Sequence, residues 1–318
     1  MINKTAAEQI LKRLDQLSWG TLQLITPDGR VRTFSGKEHP EHKAQLIVHD
    51  WRVFTNLIRK GDIGFADDYR LGKWDTDNIN QLVELALKNQ SSINRMLSGN
   101  KLYSMLSALL YMLRLNTVKG SKKNIHAHYD LGNAFYRLWL DPSMTYSSAL
   151  YQSEDDSLTQ AQHNKYDRML DCINHPSGRL LEVGCGWGGL AERALHKGDY
   201  DIKGITLSEE QHAFAQQRLG KSVNIALEDY RLQTGLYDHI ISIEMFEAVG
   251  ERFWPTYFQK LKSLLAKNGK AVIQTITINE QDFPSYRKGG DFIRSFIFPG
   301  GIKGSIYIFR KNNTTFGS

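Results

Sequence analysis

The sequence predicts an α/β protein: a mainly parallel sheet with helices on both faces, preceded by a mostly helical N-terminal region. Three observations carry this. From about residue 155 onward, apolar strand-like runs alternate with helical segments, the pattern of parallel strands joined by crossover helices. The first of those strands runs into a glycine-rich turn, "VGCGWGG", which opens a helix. Before about residue 115 the pattern is dominated by helical stretches.

Taken in order, the N-terminal region offers one short hairpin at "WGTLQLITPDGRVRTFSG", where Asp28-Gly29 supplies the turn. The segment from Val48 to Asn89 reads as helices separated by Gly61, Gly64 and Gly72. "NTVKGSKKN" (116–124) is the expected linker, dividing the chain into a domain of residues 1–120 and a second of 121–318. In the second domain "DDSLTQAQHNKYDRMLDCI" is a helix with Asp155, Asp156 and Ser157 as N-terminal signals. Strands follow at "RLLEVG", "YDIKGITL", "SVNIALED", "YDHIISIEM" and "KAVIQTITI". Between them lie the helices "GGLAERALHK", "EEQHAFAQQRL" and "WPTYFQKLKSLLAKNG". Ser208 is the expected N-cap of the second, with Gln211 completing a capping box.

The composition, 41% apolar and 23% charged over 318 residues, is that of a globular chain. No run approaches the ~18 apolar residues of a spanning helix. The N-terminus lacks the apolar core of a signal peptide. Cys172 and Cys185 have neither paired nor metal-ligand spacing, so no metal site is expected and the chain suits a reducing cytoplasm. The net charge of +6 is concentrated. Between Leu85 and Tyr129 there are seven Lys or Arg and no acid, around the apolar "KLYSMLSALLYMLRL". Such a segment is either a buried helix with solvated ends or one lying on an anionic membrane surface. No nucleic-acid module accompanies the charge, so no nucleic-acid partner is expected.

Chemistry concentrates in the turn "LEVGCGWGGL", with Gly184, Gly186, Gly188 and Gly189. Its spacing also fits a dinucleotide fingerprint, but a dinucleotide site wants an acid at the end of the second strand to hold a ribose. That strand ends "GITLS", without one. Instead Glu182 sits within the first strand's carboxyl end and Asp229 ends the third, in "LEDYR". This arrangement resembles the class I S-adenosylmethionine-dependent methyltransferases, a Rossmann-like fold.

With the ring-dense stretch "HYDLGNAFYRLWLDPSMTYSSALY" (128–151) the match narrows. That stretch, "LEVGCGWGGLAERA", "GITLSEEQ", "EDYR", "SIEMFEAVG" and "FIFPGG" occur in an order and spacing similar to those of the cyclopropane-fatty-acyl-phospholipid synthases. The mycolic acid cyclopropane synthases are close relatives of these. The resemblance implies methyl(ene) transfer from S-adenosylmethionine to the cis double bond of an unsaturated acyl group in a membrane phospholipid, forming a cyclopropane ring. It implies work at the cytoplasmic face of the membrane, with unsaturated phospholipid as partner, and leaves a homodimer open. Cofactor contacts carried over by position are Tyr146, Ser147, Glu182, Gly184, Gly186, Gly188, Gly189, Thr206, Gln211, Asp229 and Tyr230. The resemblance further implies bicarbonate as general base, held by Glu247 with Ser148, Gln274 and Ile276 around it. Ser148 stands where some synthases have Cys, and Gln274 where they have His. His128 reads as a structural histidine. The rings either line the acyl channel, where aromatic faces stabilise a cation, or simply pack.

After "FIFPGG" the family continues into its last two strands and a Tyr that helps hold the bicarbonate. Here only 40 residues follow Ile278, and "SIYIF" is the one short strand among them. The expectation is a C-terminally truncated or frameshifted synthase with an exposed fifth strand, a change that could leave cofactor affinity and remove activity. Three alternatives stay open: a methyltransferase that places a methyl branch on an acyl carbon, a small-molecule N-methyltransferase, and an inactive cofactor- or lipid-binding remnant.

Overall fold

The computed structural model describes residues 2–90, 132–288, 292–298 and 301–306. The basic apolar segment beyond residue 90, the linker 116–124, His128 and the end of "SIYIF" lie outside these. The protein divides into two compact units, Met1–Met112 with Lys288–Ser295, and Leu113–Arg287 with Phe296–Ser318.

Among the described residues of the first unit, helix is joined by a sheet larger than the one expected hairpin. Helices α1 (Ile2–Leu14), α2 (Arg52–Arg70) and α3 (Ile79–Lys88) accompany a four-stranded sheet of β1 (Trp19–Ile25), β2 (Val31–Ser35), β3 (Glu38–Val48) and β4 (Trp74–Asp75), in the order β2-β1-β3-β4. The expected hairpin is β1–β2, closed by the Gly29 amide donating to the Thr26 carbonyl with Gly29 at φ 78°. Strand β4 falls in the segment read as helices, and strand β3 is the longer element missed. Its first half, "EHPEHK", is polar and carries no alternation; only Ala44, Leu46 and Val48 at its far end point inward. It pairs parallel to β1, matching Leu22 to Ala44 and Leu24 to Leu46. Ala6, Ala7, Ile10, Leu11 and Leu14, spaced at helical period on α1, cover this face. Gly61 does interrupt α2: its φ of 63° and ψ of −145° kink the helix.

The second unit holds the predicted parallel sheet: β5 (Ser177–Val183), β6 (Asp199–Thr206), β7 (Asn224–Leu227), β8 (Tyr237–Ile243) and β9 (Leu265–Gln274), in the order β7-β6-β5-β8-β9. All four pairings are parallel. Neighbouring strand residues serve opposite faces, which is why the strands read as continuous apolar runs. Leu180 and Ile241 join the core formed with α5 (Leu158–Ile173), α6 (Gly189–Lys197) and α7 (Glu209–Leu219). Leu181 and Ile240 join the core formed with α8 (Trp254–Leu264). A short helix, α4 (Gly132–Tyr136), precedes α5.

Two local expectations change. The helix α8 ends at Leu264 and the strand begins at Leu265, so "LAKNG" is extended, with Asn268 at φ 68°, rather than helical up to a glycine stop. The capping box at α7 is half formed. Ser208 Oγ accepts from the Gln211 amide, but the Ser208 amide donates to Thr206 Oγ1. A small parallel pair, β10 (Thr277–Ile278) with β11 (Gly304–Ser305), follows β9.

Candidate active site

Strand order reverses beside β5, whose neighbours β6 and β8 lead outward in opposite directions. Ligands of open parallel sheets bind outside the carboxyl ends at such a point, and there the turns from β5, β6, β7 and β8 collect most of the predicted residues.

At the end of β5, Glu182 is buried, and its Oε2 has no hydrogen-bond partner among the described residues. Burial pushes its carboxyl up to about 8, opposed by Lys165, the Ala191 amide and Arg218. Beyond it Gly184, Gly186 and Gly188 adopt φ of 83°, 53° and 86°, a run that side-chain-bearing residues rarely adopt. At Gly186 a Cβ would meet nothing within 4 Å, so the turn has open space on that side. At Gly189 a Cβ would lie 2.6 Å from the Tyr166 hydroxyl, so glycine is needed for close packing where α6 starts. Thr206, the last residue of β6, donates to Gln211 Oε1 at 2.8 Å, and both are buried. Asp229, after β7, is held by Arg231 through Nε at 2.8 Å and Nη2 at 2.5 Å. Tyr230 turns its ring into the core against Tyr257, at 5.3 Å between centroids.

The segment from Asp141 to Ser148 forms the facing wall. Buried Asp141 accepts from the Ser143 hydroxyl at 2.9 Å and from the Ser143 and Thr145 amides. The series of hydroxyls runs on from Ser143 to Thr145 and Tyr166, at 2.5 and 2.8 Å. Ser147 is gripped from α5: Lys165 Nζ donates to its Oγ at 2.5 Å and Gln162 Nε2 to its carbonyl at 2.9 Å. Lys165 is almost fully buried, which lowers its ammonium to about 8. Tyr146 lies 5.5 Å from Tyr136, 5.2 Å from Trp139 and 6.2 Å from Phe298, ring to ring. The rings thus form one aromatic wall, with Trp187 of the glycine turn 5.1 Å behind Tyr136.

The four remaining predicted residues, Ser148, Glu247, Gln274 and Ile276, gather around two carboxylates. Glu247 Oε1 accepts from Thr275 Oγ1 at 2.7 Å and from the Ile276 amide, while its Oε2 is buried without a partner among the described residues. Burial raises the Glu247 carboxyl above its usual range, against those two hydrogen bonds. The Glu247 carbonyl accepts from the Ile302 amide at 2.9 Å, tying its turn to the residues before β11. Glu244 was not anticipated. Its Oε1 accepts from the Ser148 amide and from Gln274 Nε2, both at 2.9 Å, and it sits at φ 49°.

Lys165, Gln162, Glu244 and Thr275 are the residues sequence reasoning missed. A signal for Lys165 was present: the apolar stripe of α5, Tyr166, Met169, Leu170 and Ile173, continues toward its N-terminus as Gln162 and Lys165, both buried. For Glu244 the signal was an acid directly after the apolar "IISI", at the carboxyl end of a central strand.

The donor set at β5 fits S-adenosylmethionine. An unpartnered buried carboxyl suits an ammonium, and the glycine turn opens a helix N-terminus. Bicarbonate does not fit as implied. The Ile276 amide is taken by Glu247, while Gln274 Nε2 and the Ser148 amide are taken by Glu244. A further anion would stand beside two carboxyl groups.

Residues 117–317 match the family model described as mycolic acid cyclopropane synthetase. The chain is 34% identical over 305 residues to the tuberculostearic acid methyltransferase UfaA1 of Mycobacterium tuberculosis, covering 88% of this chain and 68% of that protein. It is 31% identical over 265 residues to the cyclopropane-fatty-acyl-phospholipid synthase of Escherichia coli, covering 83% and 68%. Among solved structures it is similar to the mycolic acid cyclopropane synthase CmaA1 complexed with SAH and CTAB, at a TM-score of 0.57 and 33% identity, covering 62% of this chain and 74% of that one.

Proposed function

Because the chain belongs to the mycolic acid cyclopropane synthetase family, we propose that it transfers a methyl group from S-adenosylmethionine to the cis double bond of an unsaturated acyl group and closes a cyclopropane ring. The carrying observation is one cluster at the strand-order reversal: the buried carboxyl of Glu182, whose Oε2 has no partner among the described residues, the ring wall around Tyr146, and the acids Glu244 and Glu247. When bound, the cofactor supplies an electrophilic sulfonium methyl. Glu182 would give the cofactor's ammonium its countercharge, while Gln162 fixes the Ser147 carbonyl and Lys165 the Ser147 hydroxyl. An alkene is a weak nucleophile, so orientation and exclusion of water carry most of the acceleration. The rings of Tyr136, Trp139 and Tyr146 line the path of an apolar acyl tail, and their faces stabilise the cation that develops on it. Phe135, Leu138 and Trp139 continue this apolar surface outward, Leu138 being 81% exposed.

The acyl group is presented on a membrane phospholipid, reached from the cytoplasmic face; no helix among the described residues is long and apolar enough to cross a membrane. A methyl-branched product is the second reading, favoured by the similarity to a relative named for tuberculostearic acid. Purified protein incubated with unsaturated phospholipid vesicles and methyl-labelled cofactor tests both. The proposal expects label in fatty acids that have gained one CH2 and lost their double bond. Labelled acids that keep a double bond or carry a branch support the second reading, and unlabelled lipid refutes both.

A further inference from the structure

We propose that Glu244 is the general base of the ring-closing step, a protein carboxylate standing where the family resemblance implies bicarbonate. The inference rests on the function proposed above. Its ground is the direction of the hydrogen bonds. The donors around the implied bicarbonate site converge on side-chain oxygens: Gln274 Nε2 and the Ser148 amide on Glu244 Oε1, and the Ile276 amide, joined by Thr275 Oγ1, on Glu247 Oε1. Ser148 Oγ contributes only a 3.4 Å contact to the Ala149 carbonyl. Within this cluster Glu247 Oε2 is left without a partner among the described residues, while the Gln274 and Ser148 donors are engaged by Glu244.

The backbone points the same way. Glu244 holds a φ of 49°, a region where residues with a Cβ are strained and which functional sites retain. That conformation ends β8 and turns the carboxylate toward Ser148, on the segment that carries Tyr146. Glu244 also faces Tyr146, whose hydroxyl it helps to raise, Lys165, and Glu247, whose carboxyl it helps to raise. The two acids differ in their partners: Glu247 is raised chiefly by burial, while Glu244 Oε1 accepts from two N–H donors.

The step balances without an added co-reactant. The alkene π pair forms a bond to the sulfonium methyl, and the electron pair of the broken carbon–sulfur bond stays with sulfur. A cation is left on the other carbon of the former double bond. Glu244 removes one proton from the newly attached methyl, and the released C–H pair closes the three-membered ring. The proton then passes from Glu244 to solvent.

The test compares the wild type, Glu244→Gln and Glu244→Gly in buffer stripped of carbonate and in buffer with added bicarbonate. Glycine is at ease at positive φ, so the second variant should keep the fold. The proposal expects wild-type turnover independent of bicarbonate and a fall of about 100-fold or more in E244Q, the range of a lost general base. Cofactor affinity, measured by calorimetry, should be unchanged. In E244G, bicarbonate should restore part of the rate. Binding of 13C-labelled bicarbonate, followed by NMR, should be seen with E244G and not with the wild type. Wild-type turnover that needs bicarbonate, E244Q as fast as wild type, bicarbonate bound by the wild type, or none bound by E244G would each overturn the assignment. If the wild type transfers no methyl group to unsaturated lipid, the proposed function fails, and the two NMR readings still decide the fate of Glu244.

Discussion

Glu182 and Lys165 bring opposite pH dependences into one site. The carboxyl of Glu182 moves from 4.5 to about 8 on folding, with burial as the leading cause. Between those values the folded protein holds a proton that the unfolded one has lost. The contribution of Glu182 is therefore complete below pH 4.5 and is lost as pH rises through about 8. Lys165 moves from 10.5 down to about 8, so its burial weighs against the fold at lower pH, and that penalty is relieved as pH rises from about 8 toward 10.5. Glu182→Gln removes the first slope. Calorimetry should find Tm falling less between pH 5 and pH 8 in the variant than in the wild type, while its cofactor affinity drops about 10-fold or more, because a bound ammonium draws the Glu182 carboxyl into its charged form and an amide cannot follow. Equal slopes in the two proteins would show that Glu182 does not titrate in this range.

Elements were legible where their apolar pattern was continuous and hidden where it was not. The central strands β5, β6 and β8 of the large sheet announced themselves as buried runs such as "RLLEV" and "HIISI". Ser157 and Ser208 marked two helix starts, each accepting the amide three residues on. Strand β3 stayed hidden because its N-terminal half is polar and exposed. Its place also depends on long-range ties that no local pattern records. Asn89, at the end of α3, is fully buried. Its Oδ1 accepts from the Ser18 amide and hydroxyl and the Trp19 amide, and its Nδ2 donates to the Trp19 and Leu85 carbonyls. Asn89→Ala would leave several of these backbone groups unpaired and should destabilise the N-terminal unit by ~3 kcal/mol. Chemical denaturation would check this, and a loss under about 1 kcal/mol would mean that these bonds do not hold the unit together.

At the scale of the whole molecule, the parallel sheet and the glycine turn could be read from residue spacing, and the resemblance supplied Ser148, Glu247, Gln274 and Ile276. The structure brings those four into one cluster, but through Glu244 and Thr275, which neither spacing nor resemblance named. A site built from several strand ends depends on which oxygen each donor faces, and that appears only in three dimensions. The central claim is that this cluster adds a carbon to an alkene and then removes a proton from it. The most direct test supplies unsaturated phospholipid vesicles with S-adenosylmethionine bearing a fully deuterated methyl group and reads the lipid product by mass spectrometry and NMR. The account predicts a saturated acyl group with a cyclopropane CD2, one deuteron having been lost to solvent. Lipid that keeps all three deuterons in an intact methyl group, or that takes up no deuterium, would contradict it.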